Sequence, residues 1–155
     1  MAGTPKFSFA PGAKTTGKIE SPAHLVDIAL SRQDGNKAFT EIGAVTPETA
    51  AKVKQATGID VYGWTHSLDE AAIRHVFEKH GNPERKRGQV AVTRDDIEKL
   101  MDVLGSPDSI TEGDEQNTIE VSKKIGSEVF VIQEVRAGRN KLSLKTMWKK
   151  PLAAR

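Results

Sequence analysis

The 155-residue chain has no cysteine. That excludes a disulfide scaffold, a cysteine-ligated zinc or iron–sulfur site, and thiol catalysis. It says little about compartment, because a cysteine-free chain tolerates both redox states. No apolar run approaches the length of a membrane-spanning helix. Met1–Lys6 carries no hydrophobic core segment, so no secretory signal is visible and no membrane partner is expected. No phosphate-loop, dinucleotide-binding or nucleophile-elbow pattern occurs, and nothing repeats internally. Lysine and arginine are missing between Lys99 and Lys123, an interval that holds Asp102, Asp108, Glu112, Asp114, Glu115 and Glu120. Acids are missing after Glu134, where Arg136, Arg139, Lys141, Lys145, Lys149, Lys150 and Arg155 follow.

The net charge of +2 is therefore the sum of two segregated regions. A basic stripe on an ordered strand could contact phosphates. It could equally be a solvated edge strand, where lysine discourages aggregation. Hydrophobic residues make up 37% and charged residues 28%, which is polar but foldable, and the length fits one domain.

Residues 1–38 read as a flexible arm or linker, rich in Gly, Pro, Thr, Lys and Ser at its start, with room for one short element at Leu25–Leu30 that could be helix or strand. Ala38–Val45 reads as a short strand. Thr46 caps a helix with Pro47 in its first position, and Gly58 stops it. Ile59–Trp64 reads as extended. Ser67 with Glu70 predicts a capping box for a second helix, running to Gly81. A basic loop, Asn82–Val92, precedes a third helix opened by Thr93 and Asp96. After an acidic loop, Ser106–Gln116, the period becomes two. Thr118–Ile125, Val129–Arg136 and Lys141–Lys149 form an antiparallel meander. Helices first and strands last predict an α+β domain over 39–150, with N-terminal helices packed on a C-terminal antiparallel sheet whose other face is free for a ligand.

Three of the four histidines, His66, His75 and His80, fall within 15 residues. Their spacings are wrong for a helical metal site. Five residues on a regular helix turn the side chain by roughly 140°, so His75 and His80 would not converge on one ion, and no metal or other cofactor is expected. A histidine pair can instead act as acid and base at neutral pH. In RNA transesterification one takes the 2′-hydroxyl proton and the other protonates the leaving 5′-oxygen. A cation such as Lys145 or Arg136 stabilises the charge on phosphorus. The alternative is structural: a half-buried His75, and a His80 that complements the helix dipole. Strand alternation puts Leu142, Leu144, Thr146 and Trp148 on one face and Ser143, Lys145, Met147 and Lys149 on the other. The leucines assign the first face to the core. Lys145 and Thr146 then reach one site only at a strand end or a bulge. Trp64 and Trp148 could stack bases or fill the core or its rim.

Several runs together resemble one family. They are Ile42–Glu48, Thr57–Val61, His66, Ile73–Gly81 with its Arg-His-x-x-x-x-His-Gly pattern, Arg87–Thr93 leading to Asp95–Ile97, Glu134–Arg136, and Leu142–Met147 with its Lys-Thr-Met. Over residues 39–149 they resemble the phage barnase–EndoU–colicin E5/D–RelE-like nuclease domains, found at the C-termini of phage head-morphogenesis and polyvalent proteins and in the tips of polymorphic toxins. The resemblance implies the same α+β order and metal-independent RNA cleavage through a 2′,3′-cyclic phosphate. It carries His75 and His80 over as acid–base residues and Lys145 and Thr146 as phosphate contacts. Arg136, His66 and Arg74 are carried over to substrate binding, His66 also standing in reserve as the second histidine. RNA, with tRNA among the targets, is the implied substrate. A cognate immunity protein or antitoxin is the implied partner. Action in a bacterial cytoplasm follows, after delivery by a phage or secretion system. Two rivals remain at this stage. One is a non-catalytic nucleic-acid-binding or virion-associated module on the same fold, and the other is an ADP-ribosylating transferase, for which no nucleotide-binding signature is present.

Overall fold

A computed structural model describes residues 17–18, 21–31, 38–81 and 89–152. The elements in chain order are β1 (Gly17–Lys18), α1 (Pro22–Ser31), β2 (Ala38–Ala44), α2 (Pro47–Thr57), β3 (Thr65–Asp69) and α3 (Glu70–His80). Then come α4 (Arg94–Glu98), α5 (Leu100–Leu104), β4 (Ser109–Glu112), β5 (Thr118–Ile125), β6 (Ser127–Arg136) and β7 (Lys141–Lys150). The strands form one seven-stranded mixed sheet in the order β1-β2-β3-β7-β6-β5-β4. The class is α+β, as the order of periodicities predicts. No helix among the described residues is long and apolar enough to cross a membrane.

Local chemistry explains the helices. Thr46 Oγ1 accepts from the Thr49 N–H, Pro47 needs no N–H at the first position, and Gly58 closes α2 at φ +81°. Thr93 and Asp96 exchange side-chain and backbone hydrogen bonds in a full capping box. The predicted third helix is broken at Lys99, whose φ −105° and ψ +19° separate α4 from α5. The second helix also differs from expectation. Its cap is Asp69, which accepts from the Ala72 N–H, and not Ser67. Ser67 lies in β3, where its hydroxyl meets that of Ser143 at 2.8 Å. Ile59–Trp64 is a turn-bearing connection, and the extended element starts only after it, at Thr65.

The meander is half of a larger sheet. β3 adds to it in parallel, with Thr65, His66 and Ser67 opposite Lys141, Leu142 and Ser143. β7 is therefore central, flanked by β3 and β6. The basic strand is internal to the sheet only at Lys141–Ser143; Lys145, Lys149 and Lys150 lie on a stretch with β6 on one side and, among the described residues, only the Val90 bridge on the other. The acidic loop contains the short edge strand β4. Beyond Ser143, α3 packs on β7, and Val90 makes an isolated antiparallel bridge to Lys149.

The core joins Leu25 and Val26 of α1, Val53 of α2, Ile73 and Val76 of α3, Ile97 of α4 and Leu100 of α5 to the sheet. The sheet contributes Val121, Val131, Leu142, Leu144 and Met147. The short element foreseen within residues 1–38 is thus the helix α1, and it belongs to the core. Of the rest of that stretch, Gly17 and Lys18 form β1, Ser21 precedes α1, Ala38 opens β2, and the remaining positions lie outside the described residues. The opposite face of the β5-β6-β7 ladder carries Glu120, Ser122, Phe130, Ile132, Thr146 and Trp148, all half-exposed. This is the one-sided sheet expected of an antiparallel meander.

Candidate active site

β7 carries a bulge where the candidate phosphate contacts lie. Gln133 pairs with Leu144 and Ile132 with Thr146, so Lys145 is the extra residue. The extra residue resets the alternation. Leu142 and Leu144 face the core before it, and Met147, only 1% exposed, faces the core after it. Thr146 and Trp148 fall on the open face. The uniform alternation read from the sequence holds up to Leu144 and is reversed beyond. Lys145 is exposed, with its Nζ 3.3 Å from Glu115 in the acidic loop. Thr146 Oγ1 is buried and has no hydrogen-bond partner among the described residues.

The two helix histidines meet. Their ring centroids are 6.4 Å apart at an interplanar angle of 72°, although their positions on the helix are five residues apart. His75 is exposed and His80 almost fully buried. His80 Nδ1–H donates to Gln89 Oε1 at 2.9 Å. That contact fixes the ring and leaves Nε2 without a partner among the described residues. His80 also lies 6.1 Å from Trp148, which stacks on Phe130 with centroids 5.3 Å apart and planes 12° apart. His80, Gln89, Trp148 and Lys150 line a cavity of about 480 Å³. The His75 pKa is lowered, first by burial and then by the charges of His80, Lys79 and Lys145, against Glu78. At neutral pH His75 is thereby held as a free base.

The other candidates sit elsewhere. His66 is wholly buried in β3, with Nδ1 accepting from Gln133 Nε2 at 3.0 Å. Burial lowers its pKa to about 4, so it is neutral and out of reach of a substrate. Arg74 is committed to structure. It pairs with the buried Glu70, and its Nε donates to the Ala29 carbonyl at 3.0 Å, tying α3 to α1. Arg136 pairs with Lys141 in the ladder, four residues before Lys145, or about 13 Å along the strand. Its nearest charges are Glu134, at 3.7 Å, and Asp69. The structure brings His75 and His80 together, leaves Lys145 exposed with its charge felt at His75, buries the Thr146 hydroxyl, and sets His66, Arg74 and Arg136 apart. Arg74→Lys keeps a charge beside Glu70 but loses the Ala29 contact. Urea denaturation is expected to register a loss of about 1 kcal/mol.

Gln89 and Phe130 carry no site role in the sequence reading, and Lys150 and Glu115 enter it only through charge, yet all four shape the site. The signal for Gln89 was its place in the basic loop. Phe130 and Glu115 come into view only with strand register and loop path. Among the described residues no group of three His, Asp or Glu side chains is arranged to hold a metal ion.

No curated protein and no solved structure matches the chain. Residues 43–154, most of the chain, match the family described as phage-Barnase-EndoU-ColicinE5/D-RelE like nuclease3. An α+β domain of this order is what the sequence resemblance led one to expect, and on this match the chain belongs to that nuclease family.

Proposed function

We propose that this nuclease-family domain is an endoribonuclease toxin that cleaves RNA by attack of the 2′-hydroxyl, without a metal. The observation that carries the reading is the pairing of His75 and His80 at 6.4 Å. In this scheme His75, held neutral, takes the 2′-hydroxyl proton. The 2′-oxygen attacks phosphorus and the bond to the 5′-oxygen breaks. His80, oriented by Gln89, is the general acid that delivers a proton to the departing 5′-oxygen. The products are a 2′,3′-cyclic phosphate and a free 5′-hydroxyl. Lys145 balances the charge that builds on the phosphoryl oxygens.

The contact between Lys145 and Glu115 joins two exposed side chains, and such pairs are weak. An RNA phosphate can displace the carboxylate at little cost. The same basic positions suit an acidic neutralising protein, which is the partner the scheme calls for. Its place of action would be a bacterial cytoplasm, where tRNA is an abundant target.

The test is incubation of the purified chain with total RNA and with tRNA in excess EDTA. Fragments ending in 2′,3′-cyclic phosphate are expected. Intact RNA of every kind would overturn the proposal and leave a nucleic-acid-binding module as the surviving reading.

A further inference from the structure

Four rings form a row from the open face of the sheet to α3. Phe130 and Trp148 are cross-strand neighbours and stack at 5.3 Å with planes 12° apart. His80 follows at 6.1 Å from Trp148, tilted by 37°, and His75 lies 6.4 Å from His80. A stacked cross-strand pair stabilises a ladder on its own. This pair has in addition a cavity of about 480 Å³ against Trp148, a volume in the range of small-ligand sites, and His80 lines the same cavity. Phe130 covers one side of the indole and does not line the cavity, so the part of Trp148 that borders it is the part Phe130 leaves free. The stack also holds the indole plane in place before any ligand arrives, which lowers the ordering cost of binding.

Sequence register and charge both favour a nucleic-acid strand here. The extra residue at Lys145 puts Trp148, rather than Met147, opposite Phe130 on the open face. Lys150 is exposed, lies 5.7 Å from the Phe130 ring centroid and has no ion pair among the described residues, although Glu128 stands opposite it in the ladder. Lys79 is exposed near His75, likewise without an ion pair among the described residues, and the charge of Lys145 is also felt at His75. Rings fringed by cations are the arrangement that holds single strands, the rings taking the bases and the cations the backbone.

We infer that the Trp148–Phe130 pair is a base-stacking platform: the free part of the indole receives one unpaired RNA base, at the nucleotide next to the phosphate on which His75 and His80 act. His80 places it there, because its ring borders the cavity and also meets His75. Stacking uses the flat face that every base has, so the platform supplies affinity without reading sequence. It requires a base that is free to leave its neighbours, so loops and single strands are the substrates that fit. This inference rests on the ribonuclease reading for the identity of the strand and of its scissile phosphate.

The test measures binding of labelled 2′-O-methyl 5-mers, which lack the nucleophilic hydroxyl and stay intact, by fluorescence anisotropy. One carries adenine at every position and the other is its abasic counterpart. Wild type is expected to bind the adenine 5-mer about tenfold more tightly, in line with one stacked base. Trp148→Leu should bring the two within about twofold by weakening only the base-bearing strand, and Trp148→Phe, which keeps a ring, should retain most of the difference. Equal binding of both 5-mers by wild type, or an equal loss for both in Trp148→Leu, would overturn the inference while leaving RNA cleavage in EDTA as a separate result. Should Trp148→Leu fail to fold, a Trp64→Phe protein keeps Trp148 as its one tryptophan. Quenching of that indole by the adenine 5-mer beyond the abasic one supports the platform, and equal quenching refutes it. Base-dependent binding without cleavage of any RNA would support the platform and remove the nuclease reading.

Discussion

His75→Ala is expected to lower RNA cleavage by about 10²- to 10⁴-fold, the usual contribution of a positioned acid or base. The variant is a clean one. His75 is exposed on α3 and has no hydrogen bond among the described residues, and alanine is the better helix former. Urea and thermal midpoints should therefore stay within the range of ordinary surface changes. Loss of activity with folding intact separates a chemical role from a structural one. The pH profile separates them further. A base must be unprotonated, so wild-type kcat/KM should fall as the pH drops through the His75 pKa. That pKa lies below the ordinary histidine value, because burial and the charges of His80, Lys79 and Lys145 disfavour the cation. In His75→Ala this acid limb should vanish from the residual activity. An unchanged rate, or an acid limb that survives the substitution, would remove His75 from the mechanism. His80→Ala is the less direct experiment. It also strips Gln89 of its partner in a nearly buried site, so it mixes a chemical loss with a packing loss.

What could be read from the sequence follows from the range of the interactions. The start and stop of α2 depend on Thr46, Pro47 and Gly58, all within the helix or next to it, and each is plain in the sequence. The capping box of Thr93 and Asp96 is equally local. Ser67 with Glu70 forms the same kind of local pattern and misleads. Ser67 is claimed by Ser143, 76 residues away, and the strand partner outweighs the cap. The β7 bulge is a third case. Arg136 opposite Lys141 sets a register that would bring Phe130 opposite Met147 if it ran unbroken. The extra residue at Lys145 moves the partner to Trp148 and creates the stacked pair. Nothing in Leu144-Lys145-Thr146 announces that step, because it is decided by β6. The histidine pair was legible as residue types but not as geometry. Ideal helix angles separate the two positions, whereas His80 is the last helical residue and its ring is held by Gln89 from outside the helix.

Acidification should destabilise the fold through His66, and this is the largest pH effect expected. His66 lies at 0% exposure between β2 and β7, and burial lowers its pKa to about 4. In the unfolded chain the value returns to about 6.5. Between those two pH values the unfolded state holds one more proton than the folded state, so unfolding takes up a proton and acid favours it. The contribution is fully present above about pH 6.5 and is lost progressively down to about pH 4, below which both states are protonated. The window corresponds to about 3 kcal/mol. The hydrogen bond with Gln133 works the other way and offsets part of that burial. Two other groups titrate near this range. Asp69 has a raised pKa, chiefly from burial, and so acts in the opposite sense, while His75 acts in the same sense as His66. Both remain in a His66→Gln variant, so subtracting its stability from that of wild type isolates His66. Urea denaturation at steps from pH 7.5 to pH 4 is the measurement. The wild-type advantage over His66→Gln should shrink by about 3 kcal/mol across that range. A difference that stays constant with pH would mean that His66 keeps a normal affinity for protons in the fold, and the buried neutral pair with Gln133 would have to be abandoned.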